Sequence, residues 1–138
     1  SVFASLLFAL LLLAPAVASD SGCYWAGKGP ICMPDDCPAG TTEIGQNDNA
    51  RITFAEFGNP CAAYGMKRLC CPNALVKLDP KQHCYTCYSK DCKAGSCPAG
   101  AAVLMIMNVN TWLHYGYFPY CCTEGTLDIP HPWHHDLN

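Results

Sequence analysis

Charge is scarce in this chain. Only 14% of its 138 residues are Asp, Glu, Lys or Arg, and 8 basic against 11 acidic residues leave a net charge of −3. No basic run occurs, which removes the electrostatic driver for binding nucleic acid or an anionic membrane. No Asn-x-Ser/Thr sequon occurs, so N-glycosylation is not expected. Serine is sparse beyond the N-terminal region, with Ser89 and Ser96, and no Gly-x-Ser-x-Gly element marks a nucleophile. Asp35 and Asp36 are adjacent. Their side chains diverge, and they do not form the facing pair that glycoside hydrolysis needs. His114 stands alone among aromatics. These gaps argue for a protein that is not an enzyme and carries no cofactor.

Long hydrophobic runs are also scarce. Val2 to Pro15 is almost wholly apolar, but it is short for a membrane span. Ala16-Val17-Ala18 follows with the small-x-small pattern of a cleavage site, so residues 1–18 are expected to be a signal peptide. No second span appears downstream. A secreted product, extracellular or in the cell wall, is the expectation.

Cysteine, by contrast, is abundant: 12 residues in two sets of six. The first set is Cys23, Cys32, Cys37, Cys61, Cys70 and Cys71. The second is Cys84, Cys87, Cys92, Cys97, Cys121 and Cys122. Each set opens with Cys-Tyr, carries Cys-x4-Cys-Pro-Ala-Gly and closes with a Cys-Cys doublet. In an oxidising compartment this density reads as a disulfide scaffold. The internal repeat predicts a small, disulfide-rich, mostly β fold of two tandem six-cysteine modules built from short hairpins. Residues 19–72 form module 1, 73–83 a linker, 84–125 module 2, and 126–138 a histidine-containing tail. Six cysteines allow 15 pairings per module. Adjacent cysteines point apart and should staple different neighbours. Aligning the doublets leaves Cys61 and Cys87 without counterparts, so the pairing should differ between modules. About 50 residues per module is too few for a self-sufficient core, which makes the disulfides the main staples, at about 2–4 kcal/mol each.

Thr41 to Ile44, Arg51 to Phe57 and Met66 to Cys71 read as strands. Gly45 to Asn49 reads as a turn, and proline and glycine in each Cys-Pro-Ala-Gly element predict another. Ala101 to Met107 is a continuous apolar run suited to a buried strand, with a helical turn as the alternative. Asn108-Val109-Asn110 would turn the chain into Thr111 to Tyr120.

Three groups of residues could carry function. Trp25, Trp112, Tyr115 and Tyr117 are candidates for stacking on sugar faces or forming a protein interface, set against a role in the mini-core. Alternation puts Tyr115 and Tyr117 on one face and Trp112, His114 and Phe118 on the other. His131, His134, His135 and Asp136 offer imidazole and carboxylate ligands for zinc or copper, although two prolines keep that terminal segment extended. Cys84-Tyr85-Thr86-Cys87 is formally Cys-x-x-Cys, but it lacks the βαβ context of a redox site.

Three stretches carry a family likeness. They are Cys23-Tyr24-Trp25-Ala26-Gly27-Lys28-Gly29-Pro30, Cys37-Pro38-Ala39-Gly40-Thr41-Thr42-Glu43-Ile44 and Lys67-Arg68-Leu69-Cys70-Cys71-Pro72. The pattern resembles small cysteine-rich modules of fungal secreted proteins, found beside chitinase-like enzymes and as stand-alone proteins. It covers most of module 1 and only the Cys-Pro-Ala-Gly and Cys-Cys marks of module 2. The resemblance implies an extracellular or cell-wall setting and brings no catalytic residue. The leading expectation is binding to a wall polysaccharide such as chitin or glucan. The alternative is an effector, toxin or inhibitor with an extracellular protein partner, in which Gly45 to Arg51 would be the inhibitory loop. A further alternative is metal binding through the histidine tail.

Overall fold

A computed structural model describes residues 22–51, 54–92 and 95–129. The apolar leader and the His131, His134, His135 and Asp136 cluster lie outside the described residues.

The chain is mostly β. The strands are β1 (Tyr24–Ala26), β2 (Ile31–Cys32), β3 (Thr41–Asn47), β4 (Tyr64–Gly65), β5 (Lys67–Pro72), β6 (Cys84–Thr86), β7 (Ala101–Asn110) and β8 (Tyr115–Thr123). A one-turn helix, α1 (Pro80–His83), interrupts them. Proline at its first turn and an Asp79 carboxylate accepting from the Lys81 amide start it. Two antiparallel three-stranded sheets result, ordered β1-β5-β3 and β6-β8-β7, and β2 pairs with β4 in a small parallel ladder.

The two large sheets match in detail. In each Cys-Pro-Ala-Gly element the proline carbonyl accepts from the residue after glycine, Thr41 or Ala101. Gly40 and Gly100 hold φ near +90°, which a side chain would resist. The strand that follows carries a bulge at its fourth residue, Ile44 or Leu104, and both bulge residues are buried. Cys23–Cys71 and Cys37–Cys70 recur as Cys84–Cys122 and Cys97–Cys121. Each doublet therefore staples two different neighbours, because consecutive strand residues face opposite sides of the sheet. The remaining pairs differ: Cys32–Cys61 spans a long insertion, whereas Cys87–Cys92 closes a tight loop.

Alternation sorts each sheet into two faces. The inner faces carry Cys23, Trp25, Leu69 and Cys71 on one side and Leu104, Met105 and Cys122 on the other, all in one buried cluster. The Tyr120 hydroxyl crosses between the sheets and donates to the Ile44 carbonyl at 2.7 Å. Gly45 lets the Tyr120 ring close in, since a Cβ there would lie 3.1 Å from it. Residues 73–83 are tied to the same body. Val76 bridges Leu127, the Lys77 amide donates to Thr126, and Asp128 donates to Leu75.

Several local expectations need correction. Gly45 to Asn47 continue β3 instead of turning, and Asn108 to Asn110 continue β7. The turn falls at Thr111–His114. Arg51 forms an isolated bridge with Ile106, Phe54 and Ala55 form a bend, and residues 52 and 53 lie outside the description, so no strand spans Arg51 to Phe57 among the described residues. At Gly45 to Asn47 and at Asn108 to Asn110, pairing with a neighbouring strand overrides local turn preference.

Candidate functional site

Trp25 is a core residue. It is 8% exposed and meets Phe57 edge to face, with ring centroids 4.8 Å apart. Its position on the inner face of β1, opposite Leu69, explains this. It is not available for stacking on a ligand.

The other three aromatic candidates come together on the long hairpin of β7 and β8. Trp112 is 92% exposed, Tyr115 81% and Tyr117 53%. Tyr115 stands opposite Asn110 and Tyr117 opposite Asn108. The outer face of the hairpin is thus two rings backed by two amides. The expected alternation holds for the pairs: Phe118 and His114 sit together with Tyr88, which stacks on His114 at 4.0 Å and meets Phe118 edge to face at 5.0 Å. That cluster props the hairpin beside the Cys87–Cys92 loop.

Arg51 completes the outer face. Its amide and carbonyl both bond to Ile106, at 2.8 and 3.0 Å, and its guanidinium lies over the Tyr117 ring, 4.7 Å from the centroid. The cation contributes on the order of 0.5–1 kcal/mol at such an exposed site. This geometry bears on the inhibitory-loop expectation. A protease would have to pair with the Arg51 backbone, and that backbone is already paired.

A second, shallower feature lies on the first half of the chain. Met33, Tyr64 and Met66 are exposed and line an open groove of about 460 Å³ together with Asp35, Gln46 and Arg68. Arg68 is held by Glu43 at 2.5 Å and by Asp36 at 3.5 Å. The Glu43 hydrogen bond raises its guanidinium pKa above the usual value despite desolvation.

Lys67, buried, and Tyr120, half-buried, bring titratable groups to the core. Lys67 packs its stem against Gly27, and its ammonium donates to the Phe57 carbonyl and sits 4.5 Å from the centre of the Phe57 ring. No carboxylate pairs with it among the described residues, and desolvation lowers its pKa from 10.5. Burial first, and the Glu43 charge second, push the Tyr120 phenol up to about 12. Among the described residues no group of three or more His, Cys, Asp or Glu could hold a metal, and every described cysteine is in a disulfide.

Asn108, Asn110 and Leu113 were not legible as site residues, and Arg51 was read as part of an inhibitory loop and not of this face. The available signal was the mirror pattern Asn-x-Asn and Tyr-x-Tyr about Thr111–His114, which a hairpin places side by side. No protein family, curated protein or solved structure matches the chain.

Proposed function

We propose that this is a non-enzymatic extracellular binding protein whose ligand is a wall polysaccharide, taken up on the outer face of the β7–β8 hairpin. The carrying observation is the register that sets exposed Tyr115 and Tyr117 beside the Asn110 and Asn108 amides. A pyranose ring presents an apolar face of C–H groups and a polar edge. Aromatic rings take the first and side-chain amides the second. Trp112 extends the row of rings at the turn. Six disulfides give the hairpin a rigid base, so little ordering entropy opposes binding. They also fit an oxidising, extracellular setting.

The test is co-sedimentation of the oxidised protein with insoluble chitin, β-glucan and cellulose, with a reduced sample as control. Binding by the oxidised form alone supports the reading. Tyr115→Ala and Tyr117→Ala should each weaken it by ~1–3 kcal/mol, a magnitude borrowed from base stacking on aromatic side chains. Retention unchanged in the double variant refutes it. The groove of Met33, Tyr64 and Met66 favours a second reading, a protein partner. Failure on every polymer, with a Tyr64→Ala-sensitive protein partner, would put it first.

A further inference from the structure

Sugar stacking gives Leu113 no task, yet it is 66% exposed next to Trp112 in the turn that closes the long hairpin. Three observations converge on this turn. First, from Ala101 to Thr123 there is no Lys, Arg, Asp or Glu, in a chain that carries 19 such residues elsewhere as 8 basic and 11 acidic. Second, the turn is tied across its base. The Thr111 amide and hydroxyl donate to the His114 carbonyl at 2.9 and 3.1 Å, and the His114 amide donates back to the Thr111 hydroxyl at 3.0 Å. Third, the end of the hairpin pairs with no further strand among the described residues, and Tyr88 packs behind it on His114 and Phe118. The hairpin's last lateral backbone contacts are the Cys87 amide donating to the Pro119 carbonyl and the Arg51–Ile106 bridge.

An uncharged, internally bonded turn that offers Trp and Leu, with Tyr one step behind, suits the boundary between lipid headgroups and acyl chains. Charged side chains are expensive there, and tryptophan and tyrosine are favoured. The driving force is apolar burial and not charge. A net charge of −3 disfavours an anionic surface. Arg51, over Tyr117 at the next level back, is placed to meet a lipid phosphate. No helix among the described residues is long and apolar enough to cross a membrane, so this is a surface contact.

We propose that the Thr111–His114 turn inserts Trp112 and Leu113 into the interface of a zwitterionic, phosphatidylcholine-type bilayer. It shares Trp112 with the polysaccharide reading but adds Leu113, which that reading does not use.

The experiment uses the oxidised chain from a secreting host, in a Trp133→Phe background, with phosphatidylcholine vesicles. Trp25 is buried, so environment-dependent emission reports Trp112. The expected result is flotation with the vesicles and a blue shift of emission. Leu113→Asp should cut partitioning roughly tenfold, the loss expected for one leucine no longer buried. It should leave thermal unfolding and polymer co-sedimentation unchanged. No shift and no flotation would overturn the proposal. So would binding that Leu113→Asp leaves intact, since another segment would then be the anchor. Binding confined to phosphatidylglycerol vesicles would overturn it too, because charge would then be the driver.

Discussion

Tyr120→Phe is the most informative single change to the scaffold. The hydroxyl of Tyr120 donates to the Ile44 carbonyl across the two sheets, a contact between residues 76 positions apart. Ile44 is the bulge residue of β3 and is buried. Removing the hydroxyl leaves that part-buried carbonyl short of a donor, at a cost of about 1–3 kcal/mol. For a body of this size the melting midpoint should fall by roughly 5–15 °C. A second readout is specific to this contact. Burial holds the phenol neutral up to about 12, above the ordinary tyrosine value of 10. The folded-state pKa is raised. The stability it contributes is therefore complete below pH 10 and lost as pH rises through about 12, on the order of 3 kcal/mol. Tyrosinate absorbance of the native protein should show a late component from Tyr120. The component should vanish in Tyr120→Phe. A variant that melts with the parent and keeps the late component would refute the interlock. Gly45→Val is the steric counterpart. It drives a branched side chain into the Tyr120 ring, and overpacking should cost about 1–3 kcal/mol with titration of Tyr120 moved toward 10.

Other expectations follow from the interior and the staples. Lys67 is buried with a lowered pKa. The unfolded chain then binds more protons than the folded one just below pH 10.5, so stability should rise with pH in that window. Lys67→Met should abolish that rise in a denaturant series, and a slope that survives would assign it to another group. The disulfides should rank by loop length. Replacing both cysteines of Cys87–Cys92, separated by 5 positions, should cost about 2 kcal/mol by loop entropy, against about 4 for Cys23–Cys71, separated by 48. Equal midpoints for the two double-serine variants in urea would contradict this. Arg51→Ala should loosen the hairpin without unfolding the core, read as faster amide exchange at Tyr117 but not at Leu69. Identical exchange at Tyr117 would show that the cation contributes nothing there.

Much of the scaffold was legible in the residues alone. Twelve cysteines in two matching sets imply a disulfide-stapled β fold, because so few residues per set cannot hold together by apolar burial. Doublets that cannot pair internally imply two staples each, as Cys70 with Cys37 and Cys71 with Cys23 show. The unmatched Cys61 and Cys87 announced the one place where the pairings diverge. Glycine after Cys-Pro-Ala marked both turns, since the positive φ is a local property of the chain.

Tertiary structure decided the rest, for reasons no local reading supplies. Trp25 and Trp112 look alike in sequence, but one faces Leu69 and Phe57 inside and the other caps a free turn. Gly45 to Asn47 and Asn108 to Asn110 carry turn-forming residues, yet each lies along a partner strand whose hydrogen bonds outweigh that preference. The two halves share one core because Tyr120 reaches Ile44 and finds only a glycine beside it. The pairing of Tyr115 with Asn110 and Tyr117 with Asn108 depends on a register set by the turn and the Leu104 bulge, so the candidate site exists only once the hairpin has closed.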